Sequence, residues 1–402
     1  MNRPVTILAI ASYEKGHAFL RQARAEGARV LLLTSLSLKE TGAWPADVAD
    51  EIFYMPDTEK QWNREDTFKA VAYLARTEHL DRIVPLDDFD LELAASLREH
   101  LRIAGMGETT VRRFRDKLAM RMCAQEAGID VPQFVHVLNH EKVRRFTERV
   151  AAPWVLKPRS FAGSIGIRKI ESAAQLWAEL EKLGDLQAHY LLEKYVPGSI
   201  CHVDTIVYER EIKFAAASGY GRPPMDVAHG GGVFTTSLLE RGTPLEEELL
   251  ELNAHLLKAL GMVRGVNHTE YIVAEDGTIF FLETAARVGG AHIADLVEQA
   301  TGVNLWAEWA RIEVAGGKLK YTPPVPRQDY AGLLVTLARQ EWPDTSGYQH
   351  PEIVWRLNKK NHVGFIVRAE SHSRVREVLD EITGRVQQDF WAYAPPKERP
   401  VD

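Results

Sequence analysis

The chain has 402 residues, too many for one ordinary hydrophobic core, so two or three domains are expected. Its formal charge of −7 argues against a nucleic-acid surface, and no apolar run has the length of a membrane-spanning helix. Two cysteines, Cys123 and Cys201, form neither a CxxC pair nor a zinc spacing, so a cytoplasmic protein with reduced thiols and neither membrane nor nucleic-acid partners is expected.

Val5–Ala11 lacks a basic flank and a cleavage site and reads as a first strand. A helix around His17–Glu26 and a strand at Arg29–Leu33 follow, which is the opening of a doubly wound α/β sheet. The loop Ser12–Gly16 has no G-x-G-x-x-G, so a nicotinamide or flavin site is not supported. Helix Thr67–Thr77, strand Arg82–Pro85 and helix Leu91–His100 continue the alternation. Asp87, Asp88 and Asp90 follow that strand at its carboxyl end, where such sheets present ligand contacts; capping of the next helix is the plainer reading.

The α/β unit closes near Ala104-Gly105, giving a first domain over 1–105. Thr110 can cap a helix with Phe114, Leu118 and Met122 along one seam and Gly128 at its end. Lys117 lies early on it, where a lysine is ordinarily a solvated charge. Trp154–Lys157 reads as an apolar strand ending in lysine. Its loop Arg159–Gly166, with Ser160, Gly163, Ser164 and Gly166, is rich enough in small residues to fold backbone amides over phosphates. No G-x-x-x-x-G-K-[ST] occurs, so this is not a P-loop protein.

Helix Ala173–Leu183 leads to strand Tyr190–Glu193 and a Pro197-Gly198 hinge. His202-Val203-Asp204 opens a strand to Tyr208, Ile212–Ser218 returns, and Gly230–Gly232 reads as a mobile loop before Val233–Leu238. A second domain over 106–316, with a lid of about 131–196, ends before the proline-rich linker Pro323–Pro326. A small α+β module over 317–402 follows, with strands near Ala331–Ala338, Val354–Leu357 and Val363–Arg368 and a helix near Val375–Ile382.

The most informative stretch is the hairpin in Asn267–Gly290. Thr269–Ala274 and Thr278–Glu283 flank Asp276-Gly277, a strong two-residue turn signal. In that register Glu275 pairs with Thr278, and Glu270 falls opposite Glu283. Ile272, Ala274, Ile279 and Phe281 share the glutamates' face, and Tyr271, Val273, Phe280 and Leu282 the other. Two carboxylates about 5 Å apart between apolar faces need a shared proton or a cation. Hard oxygen ligands suggest Mg²⁺; otherwise each glutamate reaches solvent or pairs with a nearby arginine. On this view Glu283→Gln relieves a clash and leaves the metal-free protein no less stable. Arg287 is placed to grip a phosphate or carboxylate. Gly289-Gly290 would let that group approach the backbone ahead of a helix beginning near Ile293.

A helix lysine, a strand lysine before a small-residue loop, a hinge glutamate and a Glu/Glu/Arg hairpin, in that order, resemble the ATP-grasp superfamily. The likeness lies in the branch of biotin carboxylase and the carboxylate–amine ligases, and the makers of dipeptides from L-amino acids look similar through EKYVPGSICHVD, HGGGVFTT and ETAARVGGAHI. The resemblance implies a Rossmann-like domain, an ATP-grasp domain and a small α+β module. It implies that Lys117 and Lys157 hold ATP phosphates under the Ser160–Ser164 loop, and that Glu193, Lys194 and Val196 read the adenine. His202 would stand near the ribose, since Ile200 replaces the family's glutamate. Glu270 and Glu283 would carry Mg²⁺, with a second ion held more weakly because Ala285 replaces an asparagine, and Arg287 would face the acceptor. The activity implied is an ATP-dependent ligation of a small carboxylate to an amine through an acyl phosphate. A bicarbonate-dependent carboxylase is the alternative, and a nucleotide sensor or kinase are further classes. Such relatives are frequently dimers, so a homodimer through the first strand and N-terminal helices is also expected.

Overall fold

The computed structural model describes residues 3–42, 44–161, 165–317 and 319–393; Gly163 and Ser164, expected at the phosphates, lie outside the described residues. Among these residues no helix is long and apolar enough to cross a membrane. The N-terminal unit carries β1 (Thr6–Ala11), β2 (Arg29–Ser35), β3 (Glu51–Met55), a minor hairpin of β4 (Asp57–Thr58) and β5 (Gln61–Trp62), and β6 (Arg82–Pro85). Strands β3-β2-β1-β6 form a parallel sheet in that order. Alternate residues of β1 feed two cores. Ile7, Ala9 and Ala11 pack toward the helix His17–Ala25, and Leu8 and Ile10 toward the helices Arg64–Leu74 and Leu91–Leu101.

Every residue of β1 is buried at the centre of this sheet, so it cannot supply the expected dimer face. The helix His17–Ala25 is claimed as well. Phe19 stacks edge-on to Trp309 of the helix Leu305–Ala315, with ring centroids 5.3 Å apart. The uncharged character of these segments reflects burial within the chain.

A second, antiparallel sheet is made of β7 (Phe134–His136), β8 (Trp154–Pro158), β9 (Arg168–Ile170) and β10 (Tyr190–Lys194) in the order β7-β10-β8-β9. Helices His140–Arg149 and Ala173–Leu183 cover it through Val143, Phe146, Leu176 and Leu180.

The third sheet has eight strands. It holds β11 (Gly198–Tyr208), β12 (Glu211–Tyr220), β13 (Phe234–Leu238), β14 (Arg264–Ala274), β15 (Ile279–Ala285), β16 (Tyr330–Leu337), β17 (Ile353–Arg356) and β18 (His362–Ala369). Their order is β15-β14-β11-β12-β13-β16-β18-β17. The strands beyond the proline-rich stretch therefore extend the central sheet through the β13–β16 pairing, Phe234 opposite Val335 to Ser237 opposite Gly332. Both faces of β16 are apolar for a reason. Ala331 and Leu333 meet Leu296 and Ala300 of the helix Ile293–Thr301, while Leu334 meets Val378 and Ile382 of the helix His372–Asp389.

The passage from the second sheet to the third is Pro197-Gly198. A Cβ on Gly198 would lie 2.3 Å from the Val273 carbonyl oxygen, an overlap that only backbone movement relieves. Gly198→Ala is expected to lower stability by roughly 1–3 kcal/mol, as overpacking does. Urea unfolding checks this, and an unchanged midpoint would show that the hinge tolerates a side chain.

Candidate active site

The hairpin places Glu270 directly opposite Glu283, as the sequence implies, but by a different route. Gly277 adopts φ 87° and its N–H donates to the Ala274 carbonyl at 3.0 Å; Ala274 N–H in turn donates to Thr278 O at 2.9 Å. The loop is thus Glu275–Gly277, three residues rather than two, and Ile272 meets Phe280. An irregularity between Glu270 and Tyr271 restores the register at the glutamates. Between the two offsets the faces are exchanged on β15, because one residue of slip turns every side chain over. Phe281 and Ile279 join Tyr271 in the core under the helix Pro244–Leu260, and Leu282 faces the cleft with Ile272.

That cleft, of about 950 Å³, lies between the second and third sheets. Its apolar walls include Val155, Ile167, Ile200, Met225, Ile272 and Leu282, with the strand end Lys194–Val196 along one side. Two lysines and both hairpin glutamates line its polar end. A flat apolar slot leading to charge suits a heterocyclic base with a charged tail.

Lys117 is the first residue of the helix Lys117–Glu126, not an interior one. A separate short helix, Glu108–Arg112, precedes it, and Asp116 caps the second by accepting from Leu118 N–H at 3.0 Å. The expected seam changes accordingly: Met122 is half exposed, and Met120, Arg121 and Ala124 face inward. Lys117 Nζ donates to the Phe161 carbonyl at 2.7 Å and pairs with Glu283 Oε2 at 2.8 Å. Burial alone would push the Glu283 carboxyl up, but Lys117, Lys157 and Arg121 together hold the group below the usual carboxylate range. The cation that the facing glutamates require is therefore present in the chain. This pair weighs against the expectation that Glu283→Gln spares the metal-free protein, because glutamine would strip Lys117 of its charged partner.

Lys157 is the penultimate residue of β8, beside the cleft, and its Nζ lies 2.6 Å from Glu193 Oε2. Burial pushes its pKa down to about 8, against the upward pull of Glu193. Glu193 also takes Arg121, with Nε 2.7 Å from Oε1 and Nη2 3.3 Å from Oε2. Burial would raise the Glu193 carboxyl, yet Arg121 and Lys157 keep it below its ordinary value. Both oxygens of Glu193 are thus engaged by cations, and the purine-reading role expected of it meets an acceptor already in use. Ser160 lies in the loop after β8, whose Arg159 carbonyl accepts from Lys117 N–H at 2.8 Å.

A second cleft, of about 930 Å³, opens on the other side of the glutamates. It shares Lys117, Phe161, Pro224, Glu270 and Glu283 with the first, so the two adjoin at these side chains. Arg115, His268, Arg287 and Asp88 give it a more polar lining. Arg287 Nε donates to Asp88 Oδ2 at 2.7 Å, and the same guanidinium donates to the Val288 carbonyl. Burial works against the Arg287 cation, but Asp88, Asp87 and Glu283 together more than compensate and raise its pKa. Asp88 belongs to the loop after β6, where the sheet order reverses beside β1. Asp87 instead accepts from Phe89 N–H and holds Lys15, and Asp90 accepts from Ser12 N–H, so these two brace the loop.

Beneath the second cleft runs a hydrogen-bonded series on one face of β11, β14 and β13. Asp204 Oδ1 takes His268 Nδ1 at 2.9 Å and its Oδ2 takes His202 Nδ1 at 2.8 Å; His202 Nε2 meets Thr236 Oγ1 at 2.8 Å. Burial would lower the His268 pKa, but Asp204 and Glu270 together override it and hold it at about 10. The resulting imidazolium stands 3.6 Å from Glu270 Oε1, and Tyr220 donates to the same oxygen at 2.7 Å.

His202 has no exposed surface and lines neither cleft, which corrects its placement near a ribose. The ordinary reading of a strand histidine, hydrogen-bonded in the interior, is the one realised. Ile200, two residues earlier, faces the first cleft in its stead. Gly289 also serves the interior: a Cβ there would lie 2.8 Å from Asp204 Oδ1 and 3.0 Å from His268 Nδ1. Only Gly290 borders the cleft. Sequence reasoning passed over Arg121, Asp204, Tyr220 and His268. The alternation in His202-Val203-Asp204 and His268-Thr269-Glu270 was the available signal, since residues two apart share a strand face.

Comparison with known proteins agrees with this geometry. Residues 114–291 match the family model described as an ATP-grasp domain. The L-arginine-specific L-amino acid ligase of Bacillus subtilis is 28% identical over 241 residues, 58% of each chain. Thus the chain spans under two thirds of that relative's length. Among solved structures, an L-amino acid ligase from Bacillus licheniformis superposes with a TM-score of 0.72 at 18% identity, covering 95% of this chain and 98% of that one. The biotin carboxylase domain of a Hydrogenobacter thermophilus 2-oxoglutarate carboxylase gives 0.68 at 17%, covering 94% and 90%. Likeness at that identity speaks for the fold alone. The family match covers every residue lining the first cleft and all but Asp88 and Ile293 of the second, so residues 114–291 form an ATP-grasp domain.

Proposed function

We propose that this protein is an ATP-dependent ligase that joins a small carboxylate, such as an amino acid, to an amine through an acyl phosphate, releasing ADP and phosphate. The observation that carries the proposal is the meeting of two adjoining clefts at Glu270 and Glu283, an apolar one suited to adenine and a polar one suited to the acceptor. The named relative, a ligase of L-amino acids, supports the same reading.

The paired carboxylate oxygens fit a hard divalent cation. Glu270 and Glu283 would hold Mg²⁺, which when bound offsets phosphate charge. Lys157 and Lys117 draw the phosphates to the polar end of the first cleft, with Lys117 exchanging Glu283 for phosphate oxygen. Arg287 and Arg115 orient the acceptor carboxylate in the second cleft. A carboxylate oxygen attacks the terminal phosphorus, the bond to ADP breaks, and the acyl phosphate forms. The amine nitrogen then attacks the acyl carbon, phosphate departs with the bonding pair, and the amine proton passes to solvent. Keeping water from the acyl phosphate is the role expected of the loop Arg159–Gly166, of which residues 162–164 lie outside the described residues.

The direct test is ADP release with amino acids supplied singly and in pairs, with bicarbonate as a control. Release only with a carboxylate–amine pair is expected, and release with bicarbonate alone would favour the carboxylase reading.

Glu283→Gln is expected to abolish turnover while ATP still binds with modest loss, since the transition state depends on the metal more than the ground state does. Near-normal turnover would remove the carboxylate pair from the mechanism. The metal-free variant should also melt below the native protein, because Lys117 loses its carboxylate.

Lys157 generates a pH prediction. Its folded pKa of about 8 lies below the ordinary 10.5, so burial disfavours the ammonium and half of it has lost its proton near pH 8. Phosphate favours the charged form, so ATP binding should take up a proton at pH 8–9 and weaken as pH rises through that range. Calorimetry in buffers of different ionisation enthalpy measures the uptake. Lys157→Arg, which stays charged, should flatten the profile; a slope unchanged in that variant assigns the proton elsewhere.

A further inference from the structure

We propose that Arg121 is a positioning residue that keeps Lys157 effective as a phosphate-binding cation by taking up the charge of Glu193. The inference rests on the nucleotide reading of the first cleft. Arg121 has no exposed surface, and Glu193 and Lys157 are each 3% exposed. Glu193 bridges them, with Oε1 on Arg121 Nε at 2.7 Å and Oε2 on Lys157 Nζ at 2.6 Å. Three elements contribute one group each: the helix Lys117–Glu126, β8 and β10.

Lys157 and Glu193 alone would be a closed, neutral pair with little attraction for an anion. Arg121 changes the sum to one net positive charge at the cleft wall. Burying a third ion is costly unless it is well compensated, and the compensation inside the chain is incomplete. Among the described residues Arg121 Nη1 finds no hydrogen-bond partner, and its guanidinium otherwise rests 5.4 Å from the centre of the Phe281 ring. Such a group is out of proportion to a structural ion pair. It is in proportion to an anion on the far side of Lys157, where that lysine lines the cleft.

Arg121 also stands four residues after Lys117 on the same helix, hence on the same side. Through Glu193 it ties the strand lysine to the helix that carries the other lysine. The spacing of the two phosphate-binding charges is thereby set by a buried bidentate contact rather than by two flexible stems.

The test compares R121K, R121Q and the double variant R121Q/E193Q by calorimetry with ATP, by steady-state kinetics and by thermal melting. R121Q leaves Glu193 to neutralise Lys157, and ATP affinity should fall by about tenfold or more, as for loss of a buried charge partner. The KM for ATP should rise while that for the carboxylate substrate holds. R121K should retain most of the affinity. R121Q/E193Q restores one net positive charge on Lys157 and should bind ATP within about threefold of native, a coupling only contacting residues show. A merely structural Arg121 predicts the reverse, with the double variant weaker than the single. That result, or an R121Q with native ATP affinity, overturns the proposal. If R121Q fails to fold, the double variant decides alone, since it leaves no carboxylate without its cation. A native protein that binds no ATP would overturn the nucleotide reading together with this inference, whereas native binding without rescue overturns this inference only.

Discussion

Two carboxylates facing each other across adjacent strands, at the mouth of an apolar cleft, constrain everything around them. Their mutual repulsion in a poorly solvated place must be met by positive charge. The chain meets it from both sides, with Lys117 on Glu283 and the Asp204-held imidazolium of His268 beside Glu270. Each of these cations is itself fixed by the fold. Lys117 opens a helix capped by Asp116, and His268 is locked by a carboxylate between two histidines. The same logic recurs a few ångströms away, where Glu193 stands between Arg121 and Lys157. The site is a lattice of alternating charge, and under the proposed function ligand phosphates and a metal would replace contacts the protein already makes to itself.

Much of this was legible in the sequence, and the manner in which it failed is physical. Glu270 and Glu283 were paired correctly although the turn was read as two residues, because a three-residue loop and a later irregularity cancel. Hydrophobic pattern could not reveal the slip, since both faces of the hairpin are apolar and either assignment looks consistent. The alternating β and α segments of the first domain were readable because parallel strands buried on both faces leave continuous apolar runs such as Thr6–Ala11. The same run, taken as an interaction face, misled for the same reason.

Side-chain partners were the least legible part. Glu193 and His202 lie on segments that resemble a known pattern, but their chemistry here is set by neighbours far away in sequence, Arg121 and Thr236. Arg121 drew no reading from the sequence, because burial of an arginine cannot be inferred from spacing alone. The link between Asp88 and Arg287 joins positions 199 residues apart and depends on how the first sheet docks on the third. Only the assembled fold brings them together.

The continuity of the eight-stranded sheet has a bearing on how the molecule comes to exist. Strand β13 finds its neighbour β16 only after the intervening chain has been made, with Phe234 waiting for Val335. Until then one flank of the central sheet is an unpaired row of backbone donors and acceptors, the kind of edge that recruits stray strands. Contacts so distant along the chain close slowly. The small C-terminal module, made last, thus covers that edge only when β16 pairs with β13 and completes the sheet on which the carboxylates stand.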